Sequence, residues 1–254
     1  MGPFPHDAPK ATISDINPAG TDGFEFVEFA HPNSAVLDRV FRQMGFVRVA
    51  RHRTKDITLY RQGDINYLLN ADPDSHAAGF VGEHGPCAPA MAWRVVDAQV
   101  ALKRALDLGA TEYTGPGKSI GAPAVYGIGG SLLYFIDKYG AEGSAYEADY
   151  AWLDEVNPRP EGFGFYYLDH LTHNVVRGNM DTWYRFYHDT FNFREIKYFD
   201  IRGRQTGLVS RALTSPDGKI RIPINESTDD RSQIEEYLRR YKGEGIQHIA
   251  IATE

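Results

Sequence analysis

Two histidines carry the chemistry to which this sequence is best suited. His170 lies in Tyr166-Tyr-Leu-Asp-His-Leu-Thr-His-Asn-Val-Val-Arg177, and His248 in Gly245-Ile-Gln-His-Ile-Ala-Ile251. Apolar and β-branched residues crowd around each histidine and glycine or polar residues bound the runs, so both stretches read as strands. Alternation with period two places His170, Thr172 and Asn174 on one face, and Asp169, Leu171 and His173 on the other. In the second run Ile246, His248 and Ala250 share a face, opposite Gln247, Ile249 and Ile251. Two neutral imidazoles brought together from distant strands are metal ligands by chemistry, although a single strand histidine is more often a hydrogen-bonded core or surface residue. His173, at odd spacing from His170, takes the structural role, and Asp169 also faces away.

The elements that must position these residues repeat along the chain. Phe24–Ala30 alternates as a strand, Ser34–Met44 carries apolar residues at helical spacing with Ser34 as the expected N-cap, and strands follow at 46–50, 57–61 and 65–69. The same βαβββ order returns with a strand at 90–95, a helix at 98–108, and strands around 111–113, 124–128 and 132–137. It returns again with a strand from Tyr166 to Val176, a helix from Met180 to Thr190, and strands at 195–199, 206–213 and 220–225. A short helix from Ser232 to Tyr241 then leads to the strand that opens at Ile246. Self-similarity over about 75 residues is the signature of a modular fold. The expected divisions are an N-terminal arm over 1–22, a first domain over 23–140, a Pro- and Gly-rich linker over 141–162 and a second domain over 163–254. The class is α+β with two domains, the second incomplete, because its fourth module would have a first strand and nothing more. The sequence is therefore expected to be a fragment. Aligning the helix ends at Gly45 and Asn192 without gaps sets Gly23 opposite His170, so the first module offers no imidazole there.

Composition excludes other classes. With 254 residues and a formal net charge of −7 there is no basic field for nucleic acid or anionic membrane, and no run reaches the ~18 apolar residues of a membrane span. The one cysteine, Cys87, has no internal disulfide partner, so a cytoplasmic protein is expected.

Longer runs carry more information than the histidines alone. Asp169-His-Leu-Thr-His-Asn-Val, Phe191-Asn-Phe-Arg-Glu, Tyr198-Phe-Asp-Ile, Ser215-Pro-Asp-Gly-Lys-Ile-Arg-Ile-Pro-Ile-Asn-Glu and Gly243-Glu-Gly-Ile-Gln-His stand in that order. Together they resemble 4-hydroxyphenylpyruvate dioxygenase, especially its bacterial members, over nearly all of residues 24–254 and most densely from 166 onward. The resemblance implies a vicinal oxygen chelate, or glyoxalase-like, fold in which paired βαβββ modules form half-open barrels. It also implies a non-haem Fe(II) cofactor held by two histidines and a carboxylate. His170 and His248 match the histidine ligands, and the carboxylate is expected beyond Glu254. Residues matching the family's catalytic and substrate-lining positions are Ser210, Pro223, Asn225, Gln233 and Gln247, whose polar members suit a hydroxyaryl keto acid.

What the family implies is oxidative decarboxylation of 4-hydroxyphenylpyruvate with O2, ring hydroxylation and side-chain migration, giving homogentisate and CO2 in tyrosine and phenylalanine catabolism. A homo-oligomer is expected when the chain is intact, and the fragment alone is expected to be inactive. The alternatives are 4-hydroxymandelate synthase, acting on the same substrate, and a metal-free ligand-binding module of the same fold.

Overall fold

Alternating apolar runs become strands, and helical spacing becomes helices, in an order that shows the repeat directly. The computed structural model describes residues 9–202 and 207–253. The first module comprises β1 (Thr21–Ala30), α1 (Ser34–Gln43), β2 (Val47–His52), β3 (Ile57–Gln62) and β4 (Ile65–Asn70). After α2 (His76–His84) the second runs through β5 (Cys87–Val95), α3 (Ala98–Asp107), β6 (Ala124–Tyr126) and β7 (Leu132–Ile136). A short β8 (Tyr150–Trp152) precedes the third: β9 (Phe165–Val175), α4 (Met180–Phe191), β10 (Arg194–Arg202), β11 (Gly207–Thr214) and β12 (Arg221–Ser227). The chain continues through α5 (Gln233–Tyr241) and β13 (Gly245–Thr253).

Several boundaries differ from the sequence reading. Asn33, not Ser34, caps α1, its side chain accepting from the Ala35 amide. The arm over 1–22 lies outside the described residues up to position 8, but β1 already starts at Thr21, and the buried Asn17 side chain both donates to the Thr21 carbonyl and accepts from its amide. The stretch read as a linker contributes β8, which pairs with β2, while Tyr146 and Tyr150 are fully buried. The strand expected at 111–113 is reduced to one bridge, Glu112 to Val125. The strand expected from Thr206 starts at Gly207, Thr206 itself lying outside the described residues.

Two sheets result. The first has eight strands in the order β6-β7-β5-β1-β4-β3-β2-β8, and the second five in the order β10-β11-β12-β9-β13. Neither closes into a barrel. The junction is the same in both: β1 pairs antiparallel with β5 and parallel with β4, as β9 pairs antiparallel with β13 and parallel with β12. Even the irregularities correspond. Between Thr21↔Val95 and Phe24↔Trp93, β1 advances three residues while β5 advances two, and between Leu168↔Ile251 and Leu171↔Ile249, β9 and β13 do the same. Each is a one-residue bulge. The register therefore matches Asp22 to Asp169 and Gly23 to His170.

Burial separates the two halves. One apolar core joins them, taking Phe41 of α1, Leu102 of α3, and Tyr187 and Phe191 of α4 against Val27, Trp93, Leu171 and Ile224 of the strands. Trp93 stacks on Phe193 across the junction, with ring centroids 5.1 Å apart. A second core fills the other face of the first sheet with Phe26, Leu68, Ala92, Tyr134, Tyr146 and Tyr150. No such apolar cluster covers the corresponding face of the second sheet among the described residues. The start of β13 is clamped from both halves. Glu244 accepts from Trp183 Nε1, Asn179 Nδ2 and the Val176 amide, while a Cβ on Gly129 (φ 58°) would lie 2.0 Å from the Glu244 carbonyl oxygen. Only glycine fits that approach.

His173 belongs to the core. It is fully buried behind β9, its Nε2 2.7 Å from the Tyr187 hydroxyl, and burial pushes its pKa down to about 3. The folded chain thus keeps a neutral imidazole where an unfolded chain protonates near pH 6.5. Stability from this group is fully present above pH ~6.5 and declines by about 1.4 kcal/mol per pH unit as pH falls toward 3. In His173→Gln the loss of urea stability between pH 7 and pH 5 should shrink by about 2 kcal/mol, whatever its stability at pH 7. An unaltered slope would remove His173 as a source of acid sensitivity.

Candidate metal centre and its pocket

The site is made by the pairing of β9 with β13. Thr172 stands opposite His248 and His170 opposite Ala250, so both histidines fall on one face of the second sheet. Their Nε2 atoms are 3.3 Å apart and their rings lie at 75°. Alternation alone fails around them, because each histidine follows a bulge residue. Gln247 is the extra residue on β13 between Ile246↔His173 and His248↔Thr172, and Asp169 the extra residue on β9 between Leu168↔Ile251 and His170↔Ala250.

The bulges overturn three expected orientations. Asp169 and Gln247, assigned by period two to the faces opposite their histidines, turn onto them: Asp169 Oδ2 lies 2.6 Å from His170 Nδ1, and Gln247 Oε1 lies 2.7 Å from His248 Nδ1. Ile246, expected beside His248, packs into the shared core opposite His173.

These contacts determine what the rings can do. A carboxylate and an amide oxygen only accept, so each Nδ1 carries the proton and each Nε2 keeps its lone pair. Thr172 Oγ1 donates to His248 Nε2 at 2.8 Å. Behind Asp169, Arg221 Nη1 donates to Oδ1 at 2.6 Å, the guanidinium being buried. The hydrogen bond from His170, reinforced by the charge of Arg221, holds Asp169 below the usual carboxylate range against the effect of burial. Burial, and then the neighbouring His170, lower the pKa of His248. Two neutral imidazole nitrogens 3.3 Å apart can share one ion at the roughly 2.1 Å of an imidazole–metal bond, the ion taking the place of the Thr172 hydrogen bond on His248. The donor set fits a divalent metal. Among the described residues no group of three His, Cys, Asp or Glu surrounds such a point, and Glu254 lies outside them.

The same face holds most of the pocket residues expected from the sequence. Ser210 of β11 pairs with Asn225 of β12, which pairs with Asn174 of β9; Pro223 precedes Asn225 by two residues and shares its face. Gln233 is not brought to this group: it opens α5 at an exposed position. Asp169, Thr172 and Arg221 enter the site from structure. An Asp-His dipeptide was visible, but nothing in the alternation signalled the bulge that turns it. A cavity of about 290 Å³ lies elsewhere, between the halves, but its charges are mutually satisfied: Lys219 on Asp22, and Arg94 on Glu25 and Asp64.

Comparison with known proteins agrees with this architecture. Residues 16–151 match the model of the hydroxyphenylpyruvate dioxygenase N-terminal domain, and residues 167–254 that of the glyoxalase/bleomycin resistance protein/dioxygenase superfamily. The chain is 57% identical to hemolysin VllY of Vibrio vulnificus over 95% of its own length and 70% of that protein. It is 52% identical to 4-hydroxyphenylpyruvate dioxygenase of a Pseudomonas species, over 94% of this chain and 68% of the relative. Among solved structures, a xylose isomerase-like TIM barrel/4-hydroxyphenylpyruvate dioxygenase fusion protein superposes with a TM-score of 0.77 at 33% identity, covering 97% of this chain and 38% of the fusion protein.

If Asp169 and Gln247 orient the imidazoles, removing either should weaken a bound divalent metal without unfolding the chain. Asp169→Ala and Gln247→Ala are each expected to lose about 10- to 100-fold in metal affinity, measured anaerobically by competition with a chelator. Affinities equal to that of the unsubstituted chain would mean that the rings hold their orientation unaided.

Proposed function

The chain belongs to the 4-hydroxyphenylpyruvate dioxygenase family, and from that premise we propose that it is an Fe(II)-dependent dioxygenase converting 4-hydroxyphenylpyruvate and O2 to homogentisate and CO2 in tyrosine catabolism. The observation that carries the reading is the convergence of His170 and His248 Nε2 on the face that also presents Ser210, Pro223 and Asn225.

In this reading His170 and His248 hold the iron, and the family's carboxylate ligand completes the set. Bound Fe(II) supplies the redox chemistry that O2 and an α-keto acid require. The protein's part is orientation. Asp169, braced by Arg221, and Gln247 keep the two Nδ1 protons in place, so that both Nε2 lone pairs face the ion. Gln247, matched to a substrate contact by resemblance, thus acts through His248. Ser210 and Asn225 offer hydrogen bonds to the ring end of the substrate, and Pro223 gives the ring an apolar wall. Cytoplasmic location, consistent with the unpaired Cys87, and assembly as a homo-oligomer belong to the same reading.

The deciding experiment is anaerobic Fe(II) loading of a form of the protein that includes the family's carboxylate ligand, then admission of O2 with 4-hydroxyphenylpyruvate and chromatographic identification of the product. Homogentisate is expected, with iron uptake and product both lost in His170→Ala and His248→Ala. Formation of 4-hydroxymandelate would move the chemistry to the benzylic carbon, and absence of iron uptake would leave a metal-free binding module.

A further inference from the structure

Asn174 is a polar side chain of the histidine-bearing face that this reading leaves unused. It lies on β9 four residues after His170, hence on the same face, and pairs in register with Asn225, which pairs with Ser210. The three form one polar row across three strands. Asn174 is only 3% exposed, and its Oδ1 has no hydrogen-bond partner among the described residues. Buried carbonyl oxygens rarely go unpaired in a folded protein, and one that stands in a ligand-facing row indicates a donor brought by the ligand.

The position of the row indicates which donor. Gly245 faces Asn174 across the β9–β13 pair, and a Cβ there would lie 2.6 Å from the Tyr241 ring and 2.8 Å from the Tyr237 hydroxyl. Helix α5 therefore closes this end of the face. The metal-side end is open, since His248 is exposed and the His170 side chain is 27% exposed. Strand rise separates the His170 and Asn174 positions by roughly 13 Å, with Thr172 between them. A keto acid anchored at the histidines directs its aromatic ring, and the hydroxyl on that ring, toward the closed end.

We propose that Asn174 Oδ1 accepts the hydrogen bond of the substrate's phenolic hydroxyl, which makes Asn174 a specificity-determining residue. The inference rests on the function proposed above and deepens it. Hydroxylated and unhydroxylated aryl keto acids are then told apart at this row, because only the former supplies the missing donor.

The test compares 4-hydroxyphenylpyruvate with phenylpyruvate, which lacks the hydroxyl, by anaerobic calorimetric titration and by kcat/KM in O2, on the Fe(II)-loaded protein that includes the family's carboxylate ligand. In Asn174→Ala the preference for the hydroxylated acid should fall about tenfold. Phenylpyruvate binding should stay within twofold, and Tm without ligand should be unchanged or higher, since an unpaired buried oxygen is removed. Should Asn174→Ala not fold, Asn174→Leu, of similar volume, carries the same comparison. Undiminished preference, or equal weakening of both acids, overturns the proposal. If the unsubstituted chain binds neither acid, it is the function reading itself that fails.

Discussion

The antiparallel register of β9 on β13 is the constraint from which the site follows. Those strands bring together two imidazoles 78 residues apart, and a shift of one residue would send His248 to the core face. The register is held at the start of β13, where Glu244 is gripped by α4 on one side and by Gly129 of the first half on the other. The site is therefore held by contacts that contain none of its ligands. The bulges then supply what straight strands lack, an acceptor beside each Nδ1.

Two sheets with one plan have been put to different uses by the side chains on one face. In the first sheet that face is packed with Phe26, Tyr134, Tyr146 and Tyr150, among which the buried Glu28 accepts from Asn70. Burial raises the Glu28 pKa, and nothing about this arrangement invites a ligand. In the second sheet, histidine, threonine, asparagine, serine and proline stand on the face, and no aromatic cluster fills it among the described residues. The first half contributes to the second through the shared core, where Trp93 stacks on Phe193 and Phe193 in turn lies beside Tyr187.

Much of this was legible from residue types. Period-two and helical spacings located the three modules and singled out the histidine pair, whereas Ser210, Pro223 and Asn225 were named only through the family resemblance. Failures occurred where local pattern and tertiary need diverge. Helix α2, His-Ala-Ala-Gly-Phe-Val-Gly-Glu-His, carries two glycines and no clear apolar stripe, so its helicity depends on the Ser75 cap and on Ala77 and Phe80 packing inward. Bulges add a residue without changing composition, so strict alternation misassigned Asp169, Gln247 and Ile246. The buried Arg221 joins the site only because β12 lies beside β9, a pairing no local pattern expresses.

The matched bulges also bear on how the two halves diverged. Gly23, the counterpart of His170, sits at φ 110°, and the space beyond its Cα is bounded by the Lys219 side chain, which is paired with Asp22. His170 is not among the residues at positive φ. Histidine at position 23 would occupy backbone that favours glycine, with a strain of about 1–3 kcal/mol, and would meet a lysine already engaged. A single codon change would therefore not turn the first half into a second metal site. Position 23 is thus barred from a metal-binding role by local main-chain geometry as much as by the missing side chain.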